Sequence, residues 1–298
     1  MAIISVKGFY DLHLHTSPAP FVRIGDSADI ARWCAAEGMA GIVIKSHFES
    51  TVSKVHHAKC ALADEYPDFK IFAGIALNRG VGGVNPGAVA IALHQGARIV
   101  WLPTIDAEGH ALAFGATGTY GVKCMSLDFK GSSLSHGNLT VLKNGRLTDE
   151  TKEIVELVVG YDAVLATGHV SKEEVLAVAE YAASKKVQKL VVTHPEFTVP
   201  NLDIDTMVNL ARMGIFMELC GINCFPMWDT TTIAQFKEMI EAVGVERVVL
   251  SSDTGQPYSP RPPETLRVFS QILHERGISE EAIQQMAVYN PAHLLGVK

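Results

Sequence analysis

Eight short apolar runs recur along this chain, and their spacing limits the fold more tightly than any other feature. They read GFYDLHLH at residues 8–15, AGIVIKSH at 40–47, KIFAGIALN at 70–78, ARIVWLPT at 97–104, DAVLATGH at 162–169, KLVVTHP at 189–195, GIFMELCG at 214–221 and ERVVLSSDTG at 246–255. Each is nearly continuous in hydrophobicity, the pattern of a strand buried on both faces of a parallel sheet. Amphipathic stretches such as SADIARWCAAEG (27–38) and SKEEVLAVAEYAASKK (171–186) lie between them. Several open on a Ser, Thr or Asp cap, and Gly38 and Gly244 stand where two such helices should stop. The repeating unit is strand then helix, eight times over. Eight parallel strands ringed by helices close into a (β/α)8 TIM barrel, whereas an open doubly wound sheet has no preference for that number. The expected architecture is an α/β barrel, with residues 1–298 as one domain.

One interval is longer than the rest. Residues 105–147 form an insertion after strand 4 that exceeds an ordinary strand-to-helix loop. It ends in SLSHGNLTVLKNGRLTDE (133–150), where two alternating segments flank Lys143-Asn144-Gly145, a hairpin signal. The hairpin is expected over the barrel mouth, as a lid, as decoration or as an oligomer contact.

Composition removes several function classes. The net charge is −7 with no Lys/Arg cluster, so neither nucleic acid nor an anionic membrane surface is an expected partner. No apolar run approaches the roughly 20 residues that span a bilayer. The opening MAIISVKGFYD is too short for a signal peptide and lacks a small-residue cleavage site. Five cysteines form no CxxC pair, which points to reduced thiols, a cytoplasmic protein and no cysteine-based zinc site.

A barrel delivers the C-terminal end of every strand to one face, where active sites are built. The polar residues of the runs fall at those ends: His13 and His15, Lys45 and His47, His169, His194, Glu218 and Asp253. Such groups are expensive in an apolar sheet unless paired or bound to a metal. In a strand, His13 and His15 project to the same side, about 6–7 Å apart, and can grip one ion. Imidazole with carboxylate suits Zn²⁺, and also Mn²⁺, Fe²⁺ or Ni²⁺. His56, His57, His94 and His274 fall in helical stretches and read as surface residues; His110 and His136 lie in the insertion, where spacing assigns them no role.

DLHLH on strand 1, TGH on strand 5, VTHPE on strand 6, SSDTG on strand 8 and the terminal NPAHLLGV together resemble the amidohydrolase superfamily, over essentially the whole chain. The resemblance implies a metal held by His13, His15 and Asp253, with His169 and His194 completing that site or holding a second ion. It also implies Asp253 as the general base toward water. One departure concerns the ion count. Strand 4 reads IVWLPT, without the lysine or glutamate that bridges two metals in the family, and the available lysine, Lys45, is on strand 2. One Zn²⁺-like ion is therefore favoured over two, with Lys45 or His47 acting on substrate or on a developing oxyanion. DLHLHT with a strand-2 histidine also resembles the polymerase-and-histidinol-phosphatase phosphoesterases. Against these, strand 3 lacks an acid and SDTG lacks a final histidine.

Arg23 after strand 1 and Arg79 after strand 3 are the candidate substrate-binding cations, suited to a carboxylate or phosphate. The reading is a metal-dependent hydrolase that activates water to cleave a C–N or C–O bond of a small amide, lactam, lactone or cyclic imide. A phosphoesterase, a metal-dependent decarboxylase and a non-enzymatic metal-binding scaffold are the alternatives. The partner is a small molecule; barrels of this size often form homo-oligomers, and no stretch marks an interface.

Overall fold

The structure, a computed structural model, describes residues 3–121, 125–126 and 138–297. Its strands are β1 (Tyr10–His15), β2 (Gly41–Lys45), β3 (Lys70–Ala76), β4 (Ala97–Trp101), β5 (Leu142–Lys143), β6 (Arg146–Leu147), β7 (Val164–Ala166), β8 (Leu190–Thr193), β9 (Phe216–Cys220) and β10 (Val248–Ser251). All except β5 and β6 belong to one sheet, ordered β1-β2-β3-β4-β7-β8-β9-β10. Its neighbours are parallel throughout, and the ring closes where β10 meets β1. There the Asp253 N–H donates to the His13 carbonyl at 2.7 Å and the His15 N–H to the Thr254 carbonyl at 2.8 Å. The eight-stranded barrel read from the spacing of the apolar runs is the fold observed.

Outside the ring lie α1 (Ser27–Ala36), α2 (Val52–Leu62), α3 (Pro86–His94), α4 (Glu108–Phe114), α5 (Asp149–Gly160) and α6 (Lys172–Ser184). The caps are those the sequence offers. Asp26 accepts from the N–H groups of Ala28 and Asp29 at the start of α1, and Ser171 with Glu174 forms a capping box on α6. Ile42, Ile44, Val100 and Leu165 face the helices, while Val43, Ile99, Trp101, Val164, Val191 and Val249 fill the barrel interior. This strict alternation on a strand buried on both sides is why the runs read as continuous.

β1 breaks the alternation. Tyr10 and Leu12 point inward, and a regular strand would then turn Leu14 inward and His13 outward. The pairing with β2 instead shifts by one residue between Asp11 and Leu14, so Leu14 joins the outer core. The bulge leaves backbone groups needing partners, and the Asp11 carboxylate supplies them. Its Oδ1 accepts from the His13 N–H at 3.1 Å and from the Ser252 N–H at 3.0 Å. His13 and His15 thereby both face the barrel axis.

Of the insertion, α4 and the antiparallel pair β5–β6 are described; His136 lies outside the described residues. Glu174 Oε1 accepts from the Val141 N–H at 2.9 Å and from Thr140 Oγ1 at 2.6 Å, tying the hairpin to the start of α6. Tyr120 and Met125, from the insertion, line the pocket that also includes His15 and Asp253. Among the described residues, no helix is long and apolar enough to cross a membrane.

Candidate metal centre

The β1 bulge sets His13 and His15 against Asp253, which follows β10. Asp253 Oδ1 lies 3.1 Å from His13 Nε2 and 3.1 Å from His15 Nε2. These three ligand atoms lie within 4.8 Å of one another. Asp253 holds a left-handed backbone with φ 52°, strain of the kind retained where side-chain direction matters. Burial pushes the His13 imidazole down to about 3, against the pull of the Asp253 carboxylate, and pushes His15 well below its ordinary range. Both rings are therefore neutral at pH 7, so the contact with Asp253 is not an ordinary ion pair.

The hydrogen bonds around the cluster orient its rings. His13 Nδ1 stands 3.3 Å from Glu218 Oε2, and Glu218 Oε1 accepts from Ser251 Oγ at 2.8 Å. With Nδ1–H donating to that carboxylate, His13 Nε2 carries a lone pair that accepts from the Lys45 ammonium at 2.8 Å, on the side where Asp253 stands. Lone pairs and a carboxylate oxygen converging in a buried space are a donor set for a divalent cation, and a carboxylate behind a ligating imidazole is the usual support. The residues present fit the ion the sequence implies. A second grouping, His13 with Glu218 and Cys220, also falls within 4.8 Å. It fits less well: burial raises the Cys220 thiol far above its usual range, and Glu218 is already engaged.

Lys45, at the end of β2, places Nζ 2.8 Å from His13 Nε2 and 5.3 Å from the centre of the Trp101 ring. Burial lowers its pKa, opposed by Asp253 and then Glu218. Trp101 fills the end of β4, where a bridging lysine or glutamate would stand, and only a glycine at 74 admits it. A Cβ there would lie 2.3 Å from Trp101 Cζ3.

His169 and His194 stand beside the triad, in neither ligand grouping. Their ring centres are 5.0 Å apart, and His194 is 6.0 Å from His13. His47 stacks on His15 at 4.8 Å, with Nδ1 2.8 Å from Thr104 Oγ1. His110, on α4, is fully buried against His169. The structure thus gathers His13, His15, Lys45, His47, His169, His194 and Asp253 on one face. Two contributors had no assigned role in the sequence, Glu218 and His110. A lone acid inside FMELC was the available signal for Glu218; His110 gave none.

Above these groups a narrow pocket is walled by Tyr120, Met125, Phe197, Asn223, Trp228 and Gln256. Arg23 lies at its side, its guanidinium 5.7 Å from the Phe21 ring centre. Arg79 is not in the pocket wall and uses its backbone N–H to bind Asp106 Oδ2 at 2.8 Å. A roomier groove lies at the far end of the barrel, beside Lys70, Arg98 and Leu295, and includes none of these histidines.

The family model described as a family of unknown function, DUF6282, matches residues 8–218. The chain belongs to that family. No curated protein matches it in sequence. Solved structures do match in fold. An amidohydrolase from Pseudomonas aeruginosa superposes with TM-score 0.63 at 12% identity, over 97% of this chain and 95% of that one. The probable dipeptidase PvdM from Pseudomonas aeruginosa gives 0.59 at 12% identity, over 97% and 94%. The organophosphorus hydrolase from Deinococcus radiodurans gives 0.56 at 14% identity, over 97% and 92%. This DUF6282 chain therefore shares the barrel of the amidohydrolases.

Proposed function

We propose that the chain is a metal-dependent hydrolase that activates water to cleave a C–N or C–O bond of a small amide, lactam, lactone or cyclic imide. The observation that carries this reading is Asp253 Oδ1 at 3.1 Å from the Nε2 atoms of both His13 and His15. The comparisons support it at the level of fold, since the similar barrels bear hydrolase names.

His13, His15 and Asp253 would hold the ion, Zn²⁺ by preference, with His169 and His194 beside it. A divalent cation there supplies Lewis acidity toward water and toward a substrate carbonyl. Asp253, desolvated so that its pKa is raised despite His13 and Lys45, accepts the proton of the attacking water. The Lys45 ammonium stabilises charge developing on the substrate oxygen, with His47 stacked on His15 nearby.

Metal content per chain and turnover of an amide and lactone panel, on wild type, His13→Ala and Lys45→Ala, test the reading. One ion, lost in His13→Ala and kept in Lys45→Ala with turnover reduced, is the expected result. No metal in any preparation, even after supplementation, removes the proposal; two ions reduced by Lys45→Ala would make the lysine a bridge.

A further inference from the structure

Arg23 is a half-buried cation beside the metal centre with no hydrogen-bonded anion of its own. Its Nε and Nη1 atoms are buried, and no hydrogen-bond partner among the described residues meets them. The residue as a whole is only partly covered, yet these two guanidinium nitrogens are out of solvent. The groups that favour its charge are Tyr120 and Asp253, both in the pocket wall, and neither hydrogen-bonds to it. A desolvated, unpaired guanidinium destabilises a fold unless something completes it, and its planar donor fork matches a carboxylate.

Two further unmet groups, on Gln256 and Trp228, line the pocket beside Arg23, whose charge is felt by the Tyr120 and Asp253 of its wall. Gln256 spends Nε2 on the Asp253 carbonyl at 2.9 Å, which fixes the amide orientation and leaves Oε1 buried without a donor. Trp228 Nε1 is buried without an acceptor. One open acceptor and one open donor complement the N–H and C=O of a single amide. The body between these poles is confined by aromatic faces, with Trp228 5.2 Å from Tyr120 and 5.8 Å from Phe197 between ring centres.

We propose that the substrate of this site is a small amide bearing a carboxylate, the anion seated on Arg23 and the amide between Gln256 and Trp228. The proposal rests on the hydrolase reading only for what becomes of the amide, because recognition belongs to the pocket itself. A phosphoester would also satisfy Arg23, but it offers no N–H to Gln256.

The test is calorimetric titration of N-acetylglycine, N-acetylglycinamide and inorganic phosphate into metal-free and metal-loaded protein, wild type and Arg23→Met. Wild type, with or without metal, is expected to bind N-acetylglycine at least tenfold tighter than N-acetylglycinamide. Arg23→Met should bind the two alike, with a melting temperature no lower than wild type, because it removes an unpaired buried charge. No preference for the carboxylate in wild type, an unchanged preference in Arg23→Met, or phosphate binding tighter than N-acetylglycine would each overturn the proposal. Failure of the hydrolase reading appears separately, as absent metal or absent turnover with the carboxylate preference intact.

Discussion

His110 Nδ1 lies 2.9 Å from His169 Nδ1, a contact between two identical atoms that only one arrangement of protons allows. His110 Nε2 is 2.7 Å from the Thr119 carbonyl, which can only accept, so that nitrogen carries the hydrogen. Burial holds the His110 pKa down to about 4, so the neutral ring leaves Nδ1 as a lone pair. His169 must then donate from its own Nδ1, and its Nε2 is left bare. The insertion thus dictates which nitrogen of a strand-end histidine is available to the centre.

If His169 Nε2 serves the metal, His110 is a positioning residue acting through it. His110→Leu removes the acceptor, and metal affinity should fall about 10- to 100-fold, the usual effect of losing support behind a ligand. His110→Asn keeps an acceptor near Nδ1 and should recover most of that loss. Chelator competition on the three proteins checks this; equal affinities would detach His169 from the centre.

The buried titratable groups predict how the metal-free protein responds to pH. Burial lowers His13 to about 3 and His110 to about 4, and takes His15, His47, His169 and His194 well below the ordinary range. In the unfolded chain the same histidines bind protons near 6.5. As pH falls below about 6.5, the unfolded state therefore takes up protons that the fold refuses, and stability drops. Five carboxyls act in the opposite sense, Asp106 among them, its pKa raised by burial. Burial raises Asp11 and Glu196 to about 7, and also raises Glu218 and Asp253, so their contribution is full at low pH and fades as pH rises through 7. Six histidines outnumber five acids on the low side, and near pH 7, where the histidines of both states have lost their protons, the acids act without them. The melting temperature of chelator-treated protein should peak near pH 6–7 and fall in both directions. A curve that climbs as pH drops from 6 to 4.5 would contradict the burial of the histidines.

The barrel and most of the centre are legible in the sequence because parallel strands carry their polarity at one end. Lys45, His47, His169, His194 and Asp253 stand out as polar breaks after apolar runs. What stays hidden depends on contacts between distant segments. The i,i+2 rule pairs His13 with His15 but cannot reveal that both face inward only through a bulge after Leu12, stabilised by Asp11 and Ser252. Glu218 looks like any acid in a strand until Ser251 and His13 are placed around it. His110 acquires a role only because α4 folds onto the loop after β7, where a Cβ on Gly109 would lie 2.9 Å from the His169 carbonyl.

Gly255 joins the three segments on which the centre depends, and its substitution separates the site from the fold. It adopts φ 122°, and a Cβ there would lie 2.0 Å from the His15 carbonyl oxygen and 2.8 Å from its carbon. Its own carbonyl accepts from the Ile24 N–H at 3.0 Å, next to Arg23. The end of β1, the Asp253 loop and the Arg23 loop thus meet at a residue with no room for a methyl group. Gly255→Ala must push His15 away from Asp253, because the obstructing atoms are backbone and cannot rotate aside. Gly214 is the control: its φ is 90°, and a Cβ there meets nothing within 4 Å. Gly214→Ala should cost only the left-handed backbone strain, about 1–3 kcal/mol, with metal content unchanged. Gly255→Ala should lose the ion and the carboxylate preference together, while far-ultraviolet circular dichroism still reports the barrel. Retention of stoichiometric metal by Gly255→Ala would mean that His15 and Asp253 do not share an ion, and the centre would have to be rebuilt around His169 and His194.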